Sequence, residues 1–193
     1  MRDIRTAVVG LGRLGRTHAA NLAHNVSRAA LVAVCDIDEA LRSGVARELG
    51  CDAYADVEAM LADAAVDAVI VATPSADHIE PVTAVAEAGV PVFCEKPLAA
   101  NLPDNEKLAA VIEEAGVTCQ IGFNRRFDSE YAEAHERIAA GEIGTPVYCY
   151  SISRDPFPPP VWACDPEQGG GLFFDMQLHD FDMSRFLLGS EPA

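Results

Sequence analysis

Basic residues are scarce in this sequence, and lysine is the scarcest of them. The chain of 193 residues has 14 lysines and arginines against 30 aspartates and glutamates, a formal net charge of −16. Such a surface repels phosphate backbones and anionic lipid headgroups, so nucleic acids and membrane surfaces are poor candidate partners. Lysine occurs only at Lys96 and Lys107, so the sequence uses arginine for nearly every other cation.

Long apolar runs are also missing from the sequence. No run approaches the ~20 residues that are needed to span a bilayer. The N-terminal residues 1–5 carry charge and lead directly into a short strand-like run, without the apolar segment and cleavage site of a signal peptide. We therefore expect a cytoplasmic protein.

The six cysteines show neither a CxxC pair nor a spacing typical of zinc sites. Most of them lie in apolar, strand-like runs, which favours small buried side chains in a reducing compartment. A nucleophilic Cys94 is the alternative, because it lies beside Glu95 and Lys96.

Short apolar runs alternate with amphipathic stretches over the first two-thirds of the chain. This alternation predicts βαβ units and a parallel sheet covered on both faces, an α/β fold. Six strands of this kind predict the doubly wound order of a Rossmann sheet. The predicted strands are 4–9, 31–35, 52–55, 66–72, 91–94 and 117–121, and the predicted helices are 13–23, 38–49, 57–62, 78–88 and 103–115.

The pattern changes after Gly122. We predict a helix over 129–140, one strand over 147–153, a proline-rich loop over 155–160, and a strongly amphipathic helix that follows three glycines and ends at Leu188. One strand cannot make a sheet, so this part packs wholly on the first domain or belongs to something longer. We therefore predict a Rossmann domain over 1–122 and an incomplete α+β substrate and oligomerisation domain over 123–193.

The stretch from Gly10 to Gly15 reads GLGRLG and matches G-x-G-x-x-G between a predicted strand and a predicted helix. Asp36 ends the next predicted strand, at the spacing that a dinucleotide fingerprint requires. Gly10 permits the tight turn, Gly12 lets a pyrophosphate approach the backbone, and Gly15 lets the helix pack on the sheet. A glycine turn in an unrelated α/β protein is the alternative.

Asp36 also bears on which dinucleotide binds. A carboxylate at this position accepts hydrogen bonds from ribose hydroxyls and repels a 2′-phosphate. The next residues, Ile37, Asp38 and Glu39, supply no cation to offset that repulsion. The sequence therefore predicts NAD rather than NADP.

Two further segments end predicted strands at the edge where ligands bind in open α/β sheets. Thr73 and Pro74 form the first segment, and His78 follows them at the start of the next predicted helix. His78 is either a site residue or, alternatively, a helix cap or a solvent-facing side chain. The second is Glu95-Lys96-Pro97, and a proline here could form a cis peptide bond. A lysine at this edge can titrate and can polarise an oxygen atom. The alternative is that Lys96 is an ordinary surface lysine.

Asp175 and His179 lie four residues apart in the last predicted helix, and therefore on one face. Asp182 and Phe186 continue that face. A carboxylate one turn from a histidine can orient the ring for acid–base chemistry. The alternatives are an ordinary surface pair and a metal site formed by Asp175, His179 and Asp182.

Taken together, these segments resemble the Gfo/Idh/MocA family of nicotinamide-dependent oxidoreductases, and most closely its inositol 2-dehydrogenases. The resemblance extends from Ile4 to about Ser190. It depends on the segments GLGRLGRTHA, ATPSADH, CEKPL, GFNRRFD, SRDP and GGGLFFDMQLHDFD. It implies NAD as cofactor and a reversible hydride transfer that converts an inositol to a keto-inositol. The same chemistry on another sugar or polyol, and a truncated NAD-binding module without catalysis, are the alternatives.

The resemblance also implies roles for individual residues. Lys96 would be catalytic and hydrogen-bond the reacting oxygen, His179 would accept the proton, and Asp175 would orient His179 or the substrate. The implied cofactor-binding residues are Gly10, Gly12, Arg13, Leu14, Gly15, Asp36, Thr73, Pro74, His78 and Glu95. The implied substrate-binding residues are Asn124, Arg126 and Arg154, and no metal ligand is implied.

Members of the family have two full domains, whereas only the opening helix, one strand and the catalytic helix of the second are recognisable here. We therefore expect a truncated chain whose full-length form is a homo-oligomer and whose partner is a small polyol or sugar.

Overall fold

The computed structural model describes residues 3–154, 158, 171 and 173–191, without the side chain of Asp175. The chain divides into two compact units, Met1–Ile121 and Gly122–Ala193. The predicted proline-rich loop, apart from Pro158, and two of the three predicted glycines lie outside the described residues.

The first unit is built on a sheet of six parallel strands in the order β3-β2-β1-β4-β5-β6. This order confirms the predicted doubly wound Rossmann sheet. The strands are β1 Ile4–Val9, β2 Ala29–Cys35, β3 Asp52–Tyr54, β4 Ala68–Val71, β5 Val92–Cys94 and β6 Cys119–Ile121. The helices are α1 Arg13–His24, α2 Glu39–Leu49, α3 Val57–Asp63, α4 Ile79–Glu87 and α5 Leu102–Ala115.

Side-chain caps fix where three of these helices begin. Asp38 accepts a hydrogen bond from the Leu41 N–H before α2, and Asp56 accepts one from the Ala59 N–H before α3. Asn101 caps α5 in the same way. Each cap satisfies an amide that has no partner within its own helix. Asp38, predicted as the first residue of α2, is therefore its cap.

The core occupies both faces of the sheet, because successive residues of β1 point to opposite sides. Ala7 and Val9 belong to a buried cluster with Val71 on one face, whereas Val8 packs with Leu11 on the other. Both clusters are apolar, which explains the unbroken apolar runs of the central strands.

The strand register aligns the carboxyl ends of the four central strands. Val9 is paired with Cys35 on one side and with Val71 on the other, and Val71 is paired with Cys94. The four strands therefore end in one row across the sheet. The residues that immediately follow this row are Gly10, Asp36, Ala72 and Glu95.

The second unit contains two α-helices among its described residues, α6 Ser129–Ala139 and α7 Leu178–Leu188. The predicted strand over 147–153 is wrong, because this segment has no strand pairing and most of its large apolar side chains are exposed. A strand needs a neighbour to bond its backbone, and the described part of the unit offers none.

The last predicted helix is also not continuous. Phe173–Gln177 forms a π-helical turn, and the α-helix starts only at Leu178. The 3.6-residue period that placed Asp175 and His179 on one face therefore does not hold across this junction, because a π turn bonds each residue one position farther along the chain.

Candidate cofactor-binding and catalytic residues

The glycine loop after β1 is close-packed at two of its glycines and open at the third. A Cβ at Gly10, which has φ of +84°, would lie 2.6 Å from the Thr73 amide nitrogen. A Cβ at Gly15 would lie 1.7 Å from the Gly10 carbonyl oxygen, whereas a Cβ at Gly12 would meet no atom within 4 Å. Gly10 and Gly15 therefore allow close packing, and Gly12 leaves open space at the start of α1.

Helix α1 begins at this open space. Gly12 is its N-cap and has no side chain to bond the first amides of the helix. Those amides and the helix dipole favour an anion at this end. Leu11 is buried beneath the loop, whereas Arg13 and Leu14 are exposed beside it. The loop is therefore shaped to receive a phosphate group.

Asp36 connects the end of β2 to the same loop. One carboxylate oxygen accepts the Leu11 N–H at 2.6 Å, and the other accepts the Asp38 N–H at 2.9 Å. Sequence reasoning missed a nearby cation, Arg42, which donates to the backbone carbonyl oxygens of Asp36 at 3.3 Å and Ile37 at 3.1 Å. The available signal was helix periodicity, which places Arg42 one turn after the start of α2.

Lys96 follows β5 at the same edge of the sheet. The Lys96–Pro97 peptide bond is cis, as the sequence allowed. The Glu95 N–H donates to the Val71 carbonyl oxygen at 2.9 Å, so the strand pairing continues up to the residue before Lys96. Pro97, on the other side, is buried. The backbone of Lys96 is therefore flanked by two residues that are held in place.

His18 is a neighbour of the Lys96 segment that sequence reasoning missed. Its Nε2 lies 2.7 Å from Oε1 of Glu95, and its ring makes an edge contact with Phe93 at 5.5 Å between centroids. Gly15 and Ala19 are the buried residues of α1. A histidine on that otherwise small-residue face was the available signal.

His78 lies beneath the two loops that carry Thr73 and Lys96. Its ring is 1% exposed, with Nδ1 2.9 Å from the Pro97 carbonyl oxygen and Nε2 3.0 Å from the Thr73 carbonyl oxygen. The alternative of a solvent-facing His78 is wrong, because the side chain is buried. His78 is the N-cap residue of α4, but its side chain makes no capping hydrogen bond. Pro74 lies at the edge itself and is exposed.

Cys94 does not have the surroundings of a nucleophile. It is fully buried, and its Sγ donates to the Glu95 carbonyl oxygen at 3.3 Å. Burial raises the pKa of this thiol, with Cys119 and Glu95 adding to the effect. A buried thiol with a raised pKa is unreactive at neutral pH.

In the second unit, Arg126 is bound to a buried carboxylate. Its Nη2 donates to Oδ1 of Asp182 at 2.6 Å and its Nε to Oδ2 at 2.9 Å, and these bonds raise the pKa of Arg126. The guanidinium also lies over the Phe186 ring at 5.3 Å. Asn124 and Arg154, the other predicted substrate-binding residues, are exposed.

Asp180 collects a second set of polar contacts that the sequence did not indicate. Its Oδ1 accepts hydrogen bonds from Ser153 at 2.6 Å, Ser151 at 2.8 Å and Arg125 at 3.2 Å. Burial acts to raise the pKa of Asp180, but these hydrogen bonds and the Arg125 charge outweigh it and lower the pKa. The segment 151–153 is thereby tied to α7.

His179 lies in the first turn of α7 and is half-buried, whereas the side chain of Asp175 is outside the described residues. Within the described ranges, no three histidine, cysteine, aspartate or glutamate side chains cluster as a metal site would require. In the same part of the chain, no helix combines the length and apolar character needed to cross a bilayer.

Two family profiles match the chain. One, described as "Oxidoreductase family, NAD-binding Rossmann fold", matches residues 4–123. The other, described as "GFO/IDH/MocA C-terminal domain", matches residues 131–193.

Relatives and solved structures agree with these profiles. The chain is 44% identical over 190 residues to scyllo-inositol 2-dehydrogenase (NAD(+)) of Bacillus subtilis, covering 98% of this chain and 55% of that protein. It is 41% identical over 189 residues to myo-inositol 2-dehydrogenase of Thermotoga maritima, covering 97% and 56%. The chain thus spans about half the length of the curated relatives that it matches.

Among solved structures, a probable dehydrogenase from Thermotoga maritima matches with a TM-score of 0.89 at 40% identity, covering 97% of this chain and 56% of that one. The scyllo-inositol dehydrogenase of Lactobacillus casei with bound NAD(H) and scyllo-inositol matches with a TM-score of 0.81 at 29% identity, covering 98% and 57%.

Proposed function

The chain belongs to the Gfo/Idh/MocA oxidoreductase family, and we propose that it acts as an NAD-dependent dehydrogenase. The proposed reaction oxidises a ring hydroxyl of myo-inositol or a related cyclitol to a ketone. The observation that carries this proposal is the row of strand ends, which places the glycine loop, Asp36 and the Lys96 segment on one edge of the sheet. Two relatives at 44% and 41% identity are named as inositol 2-dehydrogenases.

The residues present fit a dinucleotide. The open space at Gly12 and the amides of α1 suit a pyrophosphate, and the Asp36 carboxylate suits the ribose hydroxyls. Asp36 disfavours a 2′-phosphate by charge, so we propose NAD rather than NADP. The other proposed cofactor contacts are Gly10, Arg13, Leu14, Gly15, Thr73, Pro74 and Glu95. Bound NAD⁺ supplies the acceptor for the hydride that leaves the substrate carbon.

The chain's own residues handle the proton and the developing charge. In this proposal an imidazole nitrogen of His179 accepts the hydroxyl proton, and Nζ of Lys96 donates a hydrogen bond to the oxygen as negative charge develops on it. Asp175 orients His179 or the substrate. These roles are supported by the family resemblance of the two segments.

The substrate contacts are proposals of the same kind. Asn124 and Arg154 are exposed and able to reach a polyol. For Arg126 we propose a different role, that of holding α7, because two of its nitrogens already donate to Asp182.

We also propose that residues 1–122 form the NAD-binding domain and residues 123–193 the start of a substrate and oligomerisation domain. A cytoplasmic location and a homo-oligomeric full-length form belong to this proposal. Size-exclusion chromatography of a full-length homologous enzyme, with and without this second segment, tests the oligomer.

The test is a panel of inositols and sugars offered to the chain with NAD⁺, with NADH absorbance as the signal. Lys96→Ala and His179→Ala are each expected to lower turnover by about 10²-fold or more, the usual contribution of a positioned acid or base. Lys107→Ala is the matched control, because Lys107 is the only other lysine and is exposed. Near-normal turnover in both active-site variants contradicts the assignment.

A non-catalytic NAD-binding module is the second candidate, since the chain covers 55% of a named relative. NAD⁺ binding without NADH formation on any polyol favours the module. NADH formation only after a separate C-terminal segment of a homologue is added favours an enzyme made of two chains.

A further inference from the structure

His78 lies between two backbone carbonyl groups that belong to different loops of the first unit. Its Nδ1 is 2.9 Å from the Pro97 oxygen, and its Nε2 is 3.0 Å from the Thr73 oxygen. Carbonyl oxygens only accept hydrogen bonds, so each contact is a hydrogen bond only when the ring nitrogen that faces the carbonyl carries a proton. A ring with one proton donates to one carbonyl at a time, and a ring with two protons donates to both.

Burial makes these contacts consequential. His78 is 1% exposed and Pro97 is also buried, so water does not compete for the Pro97 carbonyl, whereas the contact with Thr73 is only partly buried. A buried carbonyl that loses its donor is costly, and the surrounding backbone moves to recover a partner. A hydrogen bond from the ring therefore stabilises Pro97 in its observed position.

The Thr73 end of this arrangement leads to the glycine loop. Gly10 approaches Thr73 so closely that a Cβ would lie 2.6 Å from the Thr73 nitrogen. The Thr73 hydroxyl in turn donates to the Asp77 carbonyl oxygen at 3.2 Å, one residue before His78. A continuous set of contacts thus runs from Gly10 through Thr73 and His78 to Pro97.

We propose that His78 is a positioning residue, which fixes Lys96 relative to the glycine loop by bonding Pro97 at one end and Thr73 at the other. The catalytic meaning of this role rests on the function proposed above for Lys96. The structural role does not, because it concerns only where the lysine is held. His78 itself contacts neither cofactor nor substrate in this proposal, since its ring is buried.

Three substitutions separate the two ends of the arrangement. In His78→Asn the amide nitrogen takes the place of Nδ1 and can still donate to Pro97. In His78→Gln it takes the place of Nε2 and can still donate to Thr73. His78→Phe keeps the ring and removes both donors.

The two lysines of the chain provide the readout. Reductive methylation with ¹³C-formaldehyde gives separate dimethylamine signals for Lys96, Lys107 and the N-terminal amine, and Lys96→Arg and Lys107→Arg assign the two lysine signals. We expect the Lys96 signal to keep its wild-type position in His78→Asn and to shift in His78→Gln and His78→Phe. The Lys107 signal stays fixed in all three and serves as the internal reference.

His24→Gln is the matched control, because His24 is exposed at the end of α1. An unshifted Lys96 signal in both His78→Gln and His78→Phe overturns the proposal. Equal shifts in His78→Asn and His78→Gln overturn it too, and that comparison stands even if His78→Phe does not fold.

Turnover separates this proposal from the proposed function. In a chain that forms NADH, His78→Gln is expected to lower kcat by about 10- to 100-fold, the cost of a small misplacement, and to change NAD⁺ affinity by less than about threefold. If Lys96→Ala does not change turnover, the catalytic role of Lys96 is refuted. The positioning role of His78 is then decided by the methyl signals alone. An inactive Lys96→Ala with no methyl shift in any His78 variant refutes the positioning role alone.

Discussion

Alanine at Gly12 is expected to weaken cofactor binding without harming the fold. Gly12 has φ of −60°, and a Cβ added to it would meet no atom within 4 Å, so alanine fits its backbone and its surroundings. Replacing a glycine N-cap by alanine lowers the free energy of unfolding, whereas the smaller conformational freedom of alanine in the unfolded chain raises it. Each effect is below about 1 kcal/mol. The new methyl group lies where the pyrophosphate would approach, so NAD⁺ affinity falls by at least about tenfold, or 1.4 kcal/mol.

Alanine at Gly15 is expected to have the opposite balance. A Cβ there would lie 1.7 Å from the Gly10 carbonyl oxygen, so α1 or the loop must move. Overpacking of this kind costs about 1–3 kcal/mol, and we expect the upper end because the obstacle is backbone. At about 2–4 °C per kcal/mol for a chain of this size, the Tm falls by about 6–12 °C.

Gly44→Ala is the control for both. Gly44 lies within α2, and a Cβ added to it would meet no atom within 4 Å, so alanine raises helix stability by about 1 kcal/mol and leaves NAD⁺ binding unchanged. Thermal unfolding by circular dichroism and calorimetric titration with NAD⁺ measure the two quantities. The reasoning is refuted if Gly12→Ala binds NAD⁺ like the wild type, or if Gly15→Ala unfolds at the wild-type Tm.

Three further outcomes are expected. Asp182→Ala lowers the free energy of unfolding, measured with urea, by about 3 kcal/mol. This value is at the low end for a broken buried ion pair, because the Arg126 side chain is 37% exposed. A loss below about 1 kcal/mol, which is typical of surface pairs, argues against a buried pair. Because the pKa of Asp180 is lowered from 3.8, its ionised form stabilises the fold above that pH and the stabilisation is lost as pH falls through the folded value. Asp180→Asn therefore flattens the acid side of a stability–pH profile, and an unchanged profile contradicts this. A thiol reagent modifies exposed Cys149 quickly and buried Cys94 only on unfolding; equal rates, read by mass spectrometry of peptides, speak against the burial.

The fold of the first unit could be predicted because its signals are local. Apolar runs mark the buried strands, and Asp38, Asn101 and Gly50 mark helix ends through caps and a left-handed residue. Most differences from the predicted ends are one or two residues, the usual uncertainty of helix and strand boundaries. The G-x-G-x-x-G spacing likewise predicted a loop that the structure shows closely packed at Gly10.

Contacts between distant residues could not be predicted in this way. His18 and Glu95 are 77 positions apart, and Arg126 and Asp182 are 56 apart, so no periodicity links them. The strand expected over 147–153 failed for a related reason, because pairing depends on a neighbour that the local pattern does not specify.

The cofactor preference is the central claim, and its most direct measurement is calorimetric titration of the chain with NAD⁺ and with NADP⁺ under identical conditions. The Asp36 carboxylate accepts the Leu11 N–H of the glycine loop, and in the proposed function it accepts the ribose hydroxyls and repels a 2′-phosphate. Asp36→Ser removes that charge and leaves Arg42 beside the same backbone, so its NADP⁺ affinity is expected to rise. For the wild-type chain, NAD⁺ is predicted to bind more tightly than NADP⁺ by about tenfold or more. Equal or tighter binding of NADP⁺ would contradict the account.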